Sequence, residues 1–339
     1  MRPNYRAIAE AAGVSVSTIS RYFNGHLRLR PETEQRVQDA VATLGYGQIS
    51  PRPTTRPTKR RALGMIMPQV GNSYFGALAD QIARAADAQG YSLVVAPTLD
   101  NPWGQIDCVS MMTGLGVDGL AYIGNYRTNA ALQAAASDGI PLVLVDEDID
   151  GIPPTDKVLV DDYAGAYQAT AYLCAHGHTN IAVFTGPASL HSSQERIRAF
   201  HDALGRHGIA ADGQLMLHGT FTEDFGAAAM ARLMTNAQRP TAVFAASDAI
   251  ALGVLGAARN FGIAVPDELS VVGFDDIPEA RLVTPSLTTV RTPLDQMARN
   301  AVTMLIDRVN GSTAEPATAV VPVRLEVRDS TRLSTTSRH

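Results

Sequence analysis

The chain of 339 residues has only two cysteines, Cys108 and Cys174. That is too few for a disulfide scaffold. Each falls in a predicted amphipathic helix, where a buried free thiol in a reducing cytoplasm is the default. No apolar run approaches the roughly 18 residues of a membrane span. The opening MRPNYRAIAE has no apolar core and no cleavage site, so nothing in it directs export, and a cytoplasmic location is expected. Catalytic patterns are missing as well: there is no P-loop, no H-E-x-x-H, no G-x-S-x-G and no Ser/His/Asp set in the loops. Residues 114–119, GLGVDG, fit G-x-G-x-x-G, but a helix is predicted before them and a strand after, the reverse of a dinucleotide site. His176 and His178 have no third ligand nearby in sequence. No enzyme activity, metal or cofactor is expected.

What is present is an uneven charge. The net charge is −5, yet residues 1–61 hold 11 Lys/Arg against 4 Asp/Glu, and the remainder holds 17 against 29. Phosphate attraction would draw the basic N-terminal segment, and not the acidic body, toward nucleic acid. A merely solvated basic tail fits poorly with the helical pattern inside the same segment.

That pattern is AIAEAAGV (7–14) followed by SVSTISRYFN (15–24). Ile8, Ala9, Ala12, Val14, Ile19 and Phe23 recur at three- to four-residue spacing, giving two short helices whose apolar stripes face each other. Gly13 sits where the turn needs positive φ, and Ser15 is placed to cap the second helix. Val16, Ser17, Ser20, Arg21 and Asn24 then point outward, a polar face without acids that fits the DNA major groove. The same pattern also fits an αα-hairpin inside an ordinary helical domain. A third helix is predicted from about Pro31 to Leu44, with Val37, Val41 and Leu44 inward.

The run AIAEAAGVSVSTISRYFNG with RPETEQRVQDAVATLGY resembles the DNA-binding headpiece of the lactose-repressor (LacI/GalR) family of bacterial transcription regulators. The likeness continues through VDGLAYI (117–123), GIPLVLVD (139–146), VDDYAGAYQATAYLCAHGHTNIAVFTGP (160–187), RPTAVFAASDAIALGVL (239–255), PDELSVVGFDD (266–276) and PSLTTVR (285–291). The resemblance implies an N-terminal three-helix helix-turn-helix headpiece and an α/β periplasmic-binding-protein-like core of two parallel-sheet lobes. It implies DNA contacts from Tyr5, Val16, Ser17, Thr18, Ser20, Arg21, Asn24 and Arg30, the last standing where the family usually has a Ser. It also implies a homodimer on a near-palindromic operator, with dimer contacts near 74–89 and 250–260.

The expected boundaries are a headpiece at 1–46, a linker at 47–61, a first lobe at 62–160 plus 292–320, a second lobe at 161–291 plus 321–333, and a tail at 334–339. The linker GQISPRPTTRPTKRR departs from the family, in which this stretch commonly forms a hinge helix with a Leu in the minor groove: Thr55 stands in place of that Leu, and Pro51, Pro53 and Pro57 predict an extended basic tether. From Ala62 on, short continuously apolar strands alternate with helices, the pattern of parallel sheets covered on both faces. Two such series predict two lobes with a ligand cleft at the carboxyl ends of the strands.

Cleft candidates lie just after the strands. Tyr74 and Phe75 offer ring faces for a sugar or a purine. By resemblance Arg196 is the effector-binding arginine, whose fork suits vicinal hydroxyls or a carboxylate, while Arg198 is expected to be solvated. Asp275 is the matching acceptor, with Asp276 capping or solvating its loop. Phe221, Asp161 and Ser247 complete the set, Ser247 and Asp248 doubling as a helix cap, and Asn125 is a weaker candidate. The expected effector is a monosaccharide, sugar acid or polyol, with a purine as alternative. A stand-alone sugar-binding protein of a transport system would share the two-lobed body but would need an export signal in place of the headpiece. The absence of C-terminal leucine heptads favours a dimer over a tetramer.

Overall fold

The computed structural model describes residues 4–23, 27, 29–44, 61–99, 101–124, 129–210, 216–235 and 239–333, without the side chains of 102–107. Asn24, Asn125, linker positions 47–60 with Thr55 and the three prolines, and the 334–339 tail lie outside the described residues. The chain divides into two compact units, Met1–Arg60 and Arg61–His339.

The first unit is three helices: α1 (Tyr5–Ala12), α2 (Val16–Phe23) and α3 (Pro31–Thr43). Asn4 caps α1 by accepting from the Arg6 and Ala7 amides, and Gly13 ends it at φ 65°. Ser15 Oγ accepts from the Thr18 amide at 3.0 Å and so caps α2. Ile8, Ala9, Ala12, Ile19, Tyr22, Phe23, Val37, Ala40 and Val41 form the core. Leu44, expected inward, is 39% exposed at the cap position that follows the last residue of α3, Thr43. Tyr22, buried beside Phe23, donates its hydroxyl to Glu34 at 2.6 Å and ties α2 to α3; burial and that carboxylate push its pKa up to about 12.

The second unit begins with β1 (Ala62–Met67), α4 (Ser73–Ala88), β2 (Ser92–Pro97), α5 (Pro102–Leu115), β3 (Gly119–Tyr122), α6 (Ala130–Ser137), β4 (Leu142–Asp146) and β5 (Asp156–Val160). It continues with α7 (Asp162–Ala175), β6 (Ile181–Thr185), α8 (His191–Arg206), β7 (Met216–His218), α9 (Glu223–Leu233), β8 (Ala242–Ala245), α10 (Asp248–Asn260) and β9 (Ser270–Asp275). The chain closes with β10 (Thr288–Arg291), α11 (Leu294–Val309), β11 (Thr318–Val321) and β12 (Arg324–Glu326).

The strands form two sheets, ordered β11-β5-β4-β3-β1-β2 and β12-β10-β9-β8-β6-β7. The chain therefore crosses between lobes three times: after β5, after β10 and after β11. The last two strands go to different sheets, β11 parallel to β5 and β12 antiparallel to β10. Each lobe thus has the expected parallel sheet, and the second carries one antiparallel edge strand, β12. α11 packs on the first sheet, where Arg308 pairs with Asp156 at 2.6 Å, while α7 packs on the second.

Both cysteines are free and buried. GLGVDG runs from the last two residues of α5 to the first residue of β3, with the helix before and the strand after. His176 Nδ1 meets the Tyr172 carbonyl at 2.8 Å, and the buried His178 ring sits between Thr241 Oγ1 and the Arg332 carbonyl at 2.9 and 3.1 Å.

Helices α9 and α10 touch backbone to backbone through two glycines. A Cβ at Gly253 would lie 2.0 Å from the Glu223 carbonyl oxygen, and one at Gly226 would lie 2.1 Å from that of Ile250. Gly253→Ala should therefore lower the midpoint of urea unfolding of the full chain, at a cost of about 1–3 kcal/mol for overpacking. A neutral effect would mean that the helices do not meet as described.

Candidate functional site

Two surfaces have the character of sites, one in each unit. In the first unit, α2 presents Val16 at 47% exposure, with Ser17 and Arg21 also exposed and Thr18 and Ser20 half-buried. Ser15 Oγ lies 2.8 Å from Ser17 Oγ and 2.7 Å from Thr18 Oγ1, so the cap also orders the hydroxyls at the start of the helix. No acid lies on α2. Tyr5 is half-buried, its ring stacked on Phe23 at 5.8 Å, which leaves it an edge of this surface. Arg30 is exposed and precedes α3 without making a side-chain cap.

In the second unit, a cleft with about 610 Å³ of empty space, partly open to solvent, lies between the lobes at the carboxyl ends of the strands. Tyr74, Phe75, Arg196, Phe221, Ser247 and Asp275 all line it. Tyr74 and Phe75 come from the first turn of α4, their rings edge-to-face at 5.4 Å. Phe221 lies so close to the β6–α8 loop that a Cβ at Gly186 would fall 2.2 Å from its ring. Ser247 Oγ caps α10, accepting from the Ile250 amide at 3.3 Å, and still lines the cleft.

Arg196 is the hub. It is 5% exposed, with its guanidinium carbon 3.8 Å from the Phe274 ring centroid and 5.7 Å from that of Phe221. Nε and Nη2 bond Asp162 at 2.8 and 2.7 Å, and Nη1 donates to the Ala246 carbonyl. Burial alone would lower its pKa; the facing carboxylates of Asp162, Asp275 and Asp146 raise it instead. Each of the three nitrogens thus has a partner within the protein, while two of the five N–H groups are left over at the cleft wall.

The placement of Asp161 is a correction. Its carboxylate accepts from the Ala164 amide at 3.0 Å as the cap of α7, and it does not line the cleft; Asp162, one residue on, turns inward to Arg196. Asp276 does not solvate its loop either. Its side chain is 1% exposed, bonded to Arg281 and Arg328 and within 3.7 Å of Arg291. Arg198 is half-exposed but not merely solvated, because it pairs with Glu195 and lies over the Tyr163 ring at 4.0 Å.

Asp146 and Glu147, at the end of β4, belong to the cleft although no sequence argument singled them out. The DED run at 146–148 directly after an apolar strand was the available signal. Tyr74 donates its hydroxyl to Asp146, and Ser192 donates both its hydroxyl and, at 3.3 Å, its amide to Glu147. Asp146 and Asp275 both have positive φ, at 73° and 122°, backbone strain of the kind that collects at functional sites. Burial pushes Asp146 up to about 6 and, with Asp146 beside it, Glu147 up to about 8. Burial also raises Asp248 to about 7 and holds Asp275 well above the carboxylate range, despite Arg196.

The N-terminal residues 6–48 match the model "Bacterial regulatory proteins, lacI family", and residues 170–331 match "Periplasmic binding protein-like domain". The regulator MalR of Streptomyces coelicolor is 35% identical, covering 96% of this chain and 95% of its own length. The chain belongs to the LacI family. The repressor PurR of Erwinia tasmaniensis is 31% identical over 95% of each chain. Among solved structures, a transcriptional regulator CelR–cellobiose complex superimposes with a TM-score of 0.74 at 30% identity, over 97% of this chain and all of that one. These LacI-family relatives are regulators of transcription and not enzymes, and the likeness includes the headpiece, which does not favour a stand-alone transport protein. The chain is a ligand-responsive DNA-binding regulator. Among the described residues, no helix is long and apolar enough to cross a membrane.

The raised acids fix the sign of a pH dependence. Unfolded carboxyls titrate near 4, so between there and about 8 the folded core holds more protons than the unfolded chain. The stability from these protons is complete below about pH 4 and is lost as pH rises through about 6 to 8. The thermal transition of the core should accordingly fall between pH 6 and pH 8.5, and Glu147→Gln should flatten that fall. A transition that rises with pH over this range would contradict the burial of these acids.

Proposed function

We propose that this LacI-family regulator is a cytoplasmic homodimeric repressor whose hold on a near-palindromic operator is switched by a neutral, hydroxyl-rich ligand, a sugar or polyol, in the inter-lobe cleft. The exposed face of α2, with Val16, Ser17 and Arg21, reads base edges in the major groove, while Thr18, Ser20, Tyr5 and Arg30 hold its margins and the backbone. A two-fold pair of headpieces reads half-sites about one helical turn apart.

One observation supports the ligand class: the cleft is lined by the carboxyls of Asp146, Glu147, Glu223 and Asp275, and Arg196, the only cationic side chain among its described lining residues, is already held by the protein. Arg196 is held by Asp162 and Ala246, Tyr74 by Asp146, Ser192 by Glu147, and Ser73 by Glu279 at 2.8 Å. Asp275 lines the cavity beside them. A guest that donates many hydroxyls between aromatic faces suits such a lining. A sugar acid does not, which narrows the expectation drawn from Arg196. The relative solved with cellobiose supports a sugar, and the relative named a repressor supports repression.

The test is operator retention by the purified chain at two salt concentrations, with and without a panel of neutral sugars first selected by thermal shift. Arg21→Ala should abolish salt-sensitive retention, and Asp275→Ala should abolish the sugar's thermal shift while leaving retention intact. Retention indifferent to every sugar that shifts the core would contradict the switch.

A further inference from the structure

α8 begins without a cap of its own. The residue at its cap position is Leu190, whose side chain accepts nothing, although a helix N-terminus exposes unpaired amides and a partial positive charge. The missing acceptor comes from the other lobe. Glu147, which follows β4 in the first sheet, takes the Ser192 amide on one carboxyl oxygen and the Ser192 hydroxyl on the other, and only 5% of it is exposed. Arg196 lies one turn further along α8 and is committed to Asp162.

A helix N-terminus, a serine hydroxyl and an arginine one turn on form the arrangement that ordinarily receives a ligand's carboxylate or phosphate. Here Glu147 takes the Ser192 amide and hydroxyl, and Asp162 takes two nitrogens of Arg196, whose third meets the Ala246 carbonyl. The cleft wall beyond them adds Asp146, Asp275 and Glu223, and Arg196 is the only cationic side chain among its described lining residues.

Resting on the reading of the cleft as the effector site, we infer that Glu147 is a specificity-determining residue: it fills the position a ligand's acid group would take and so restricts the cleft to uncharged ligands. Carrying its proton or not, the Glu147 carboxyl occupies the space and the donors that a guest anion would need. The contact also spans the lobes, alongside Ser73 to Glu279 and the Asn72 amide to the Phe221 carbonyl at 3.4 Å. The selection therefore operates in the closed cleft, where those donors and that carboxyl meet.

The experiment measures thermal unfolding of the full chain at pH 6 in sodium acetate, phosphate or gluconate against sodium chloride of equal ionic strength. In the wild type all three should add only the general, non-saturating increment over chloride that excluded anions give any folded protein. In Glu147→Ala, which opens the position, acetate should raise the transition by about 3 °C more than in the wild type, the shift expected of a ligand about tenfold above its Kd. Glu147→Gln, which keeps the position filled, should respond no more than the wild type. Saturable stabilisation of the wild type by gluconate or phosphate would overturn the inference, and so would a Glu147→Ala protein that responds to acetate no more than Glu147→Gln does. If that variant does not fold, the wild-type comparison decides alone. Failure of every neutral sugar to shift the wild type would instead count against the effector reading, since the acetate response does not depend on it.

Discussion

A guanidinium buried among carboxylates is the constraint on which the cleft depends. Arg196, the only cationic side chain among the described lining residues of the cleft, faces Asp162, Asp146 and Asp275 and stacks on Phe274 inside the second lobe. Burying an ion costs several kcal/mol, recovered only where geometry and hydrogen bonds are good. The bidentate grip on Asp162 and the Ala246 carbonyl meets that condition. The acids that Arg196 does not neutralise remain partly protonated, as the upward shifts of Asp146 and Glu147 indicate. The result is a carboxyl-rich lining whose one cationic side chain among the described residues is held by the protein before any ligand arrives.

The same bonds define the lobes' relation. Glu147 with Ser192, Ser73 with Glu279 and Asn72 with Phe221 join residues that different sheets position. Any ligand that enters must compete with these bonds or be added to them, and its differential affinity for the two arrangements is all it can contribute to a switch. Reciprocity follows: whatever factor the ligand applies to operator affinity, the operator applies to ligand affinity.

Much of this architecture was legible in the sequence because both sheets are central and apolar. Runs such as ALGMIM and IAVFTG have no reading but covered strands, and Gly13 with Ser15 marks the turn and cap of the headpiece in advance. Tyr74, Phe75, Phe221 and Asp275 were found because loops after parallel strands converge on one cleft. What stayed hidden depended on contacts distant in sequence. Asp161 and Asp162 are adjacent acids at a strand-to-helix junction, and only the backbone direction there decides which caps and which turns inward. Asp276 draws its arginines from three separate segments, at 281, 291 and 328. Glu147 gains its role only when β4 and α8 meet across the cleft. The antiparallel β12 was hidden in a three-residue strand with no periodicity to read.

The most direct test of the central claim is a double-mutant cycle on Arg196 and Asp162, read as unfolding free energy in urea at pH 7. Arg196→Met alone should cost about 3–5 kcal/mol, because it strands buried carboxylates, whereas Arg196→Met combined with Asp162→Leu should recover a substantial part of that loss. Additive effects of the two substitutions, or a single substitution at Arg196 that costs less than about 0.5 kcal/mol, would contradict the claim that this buried pair holds the cleft together.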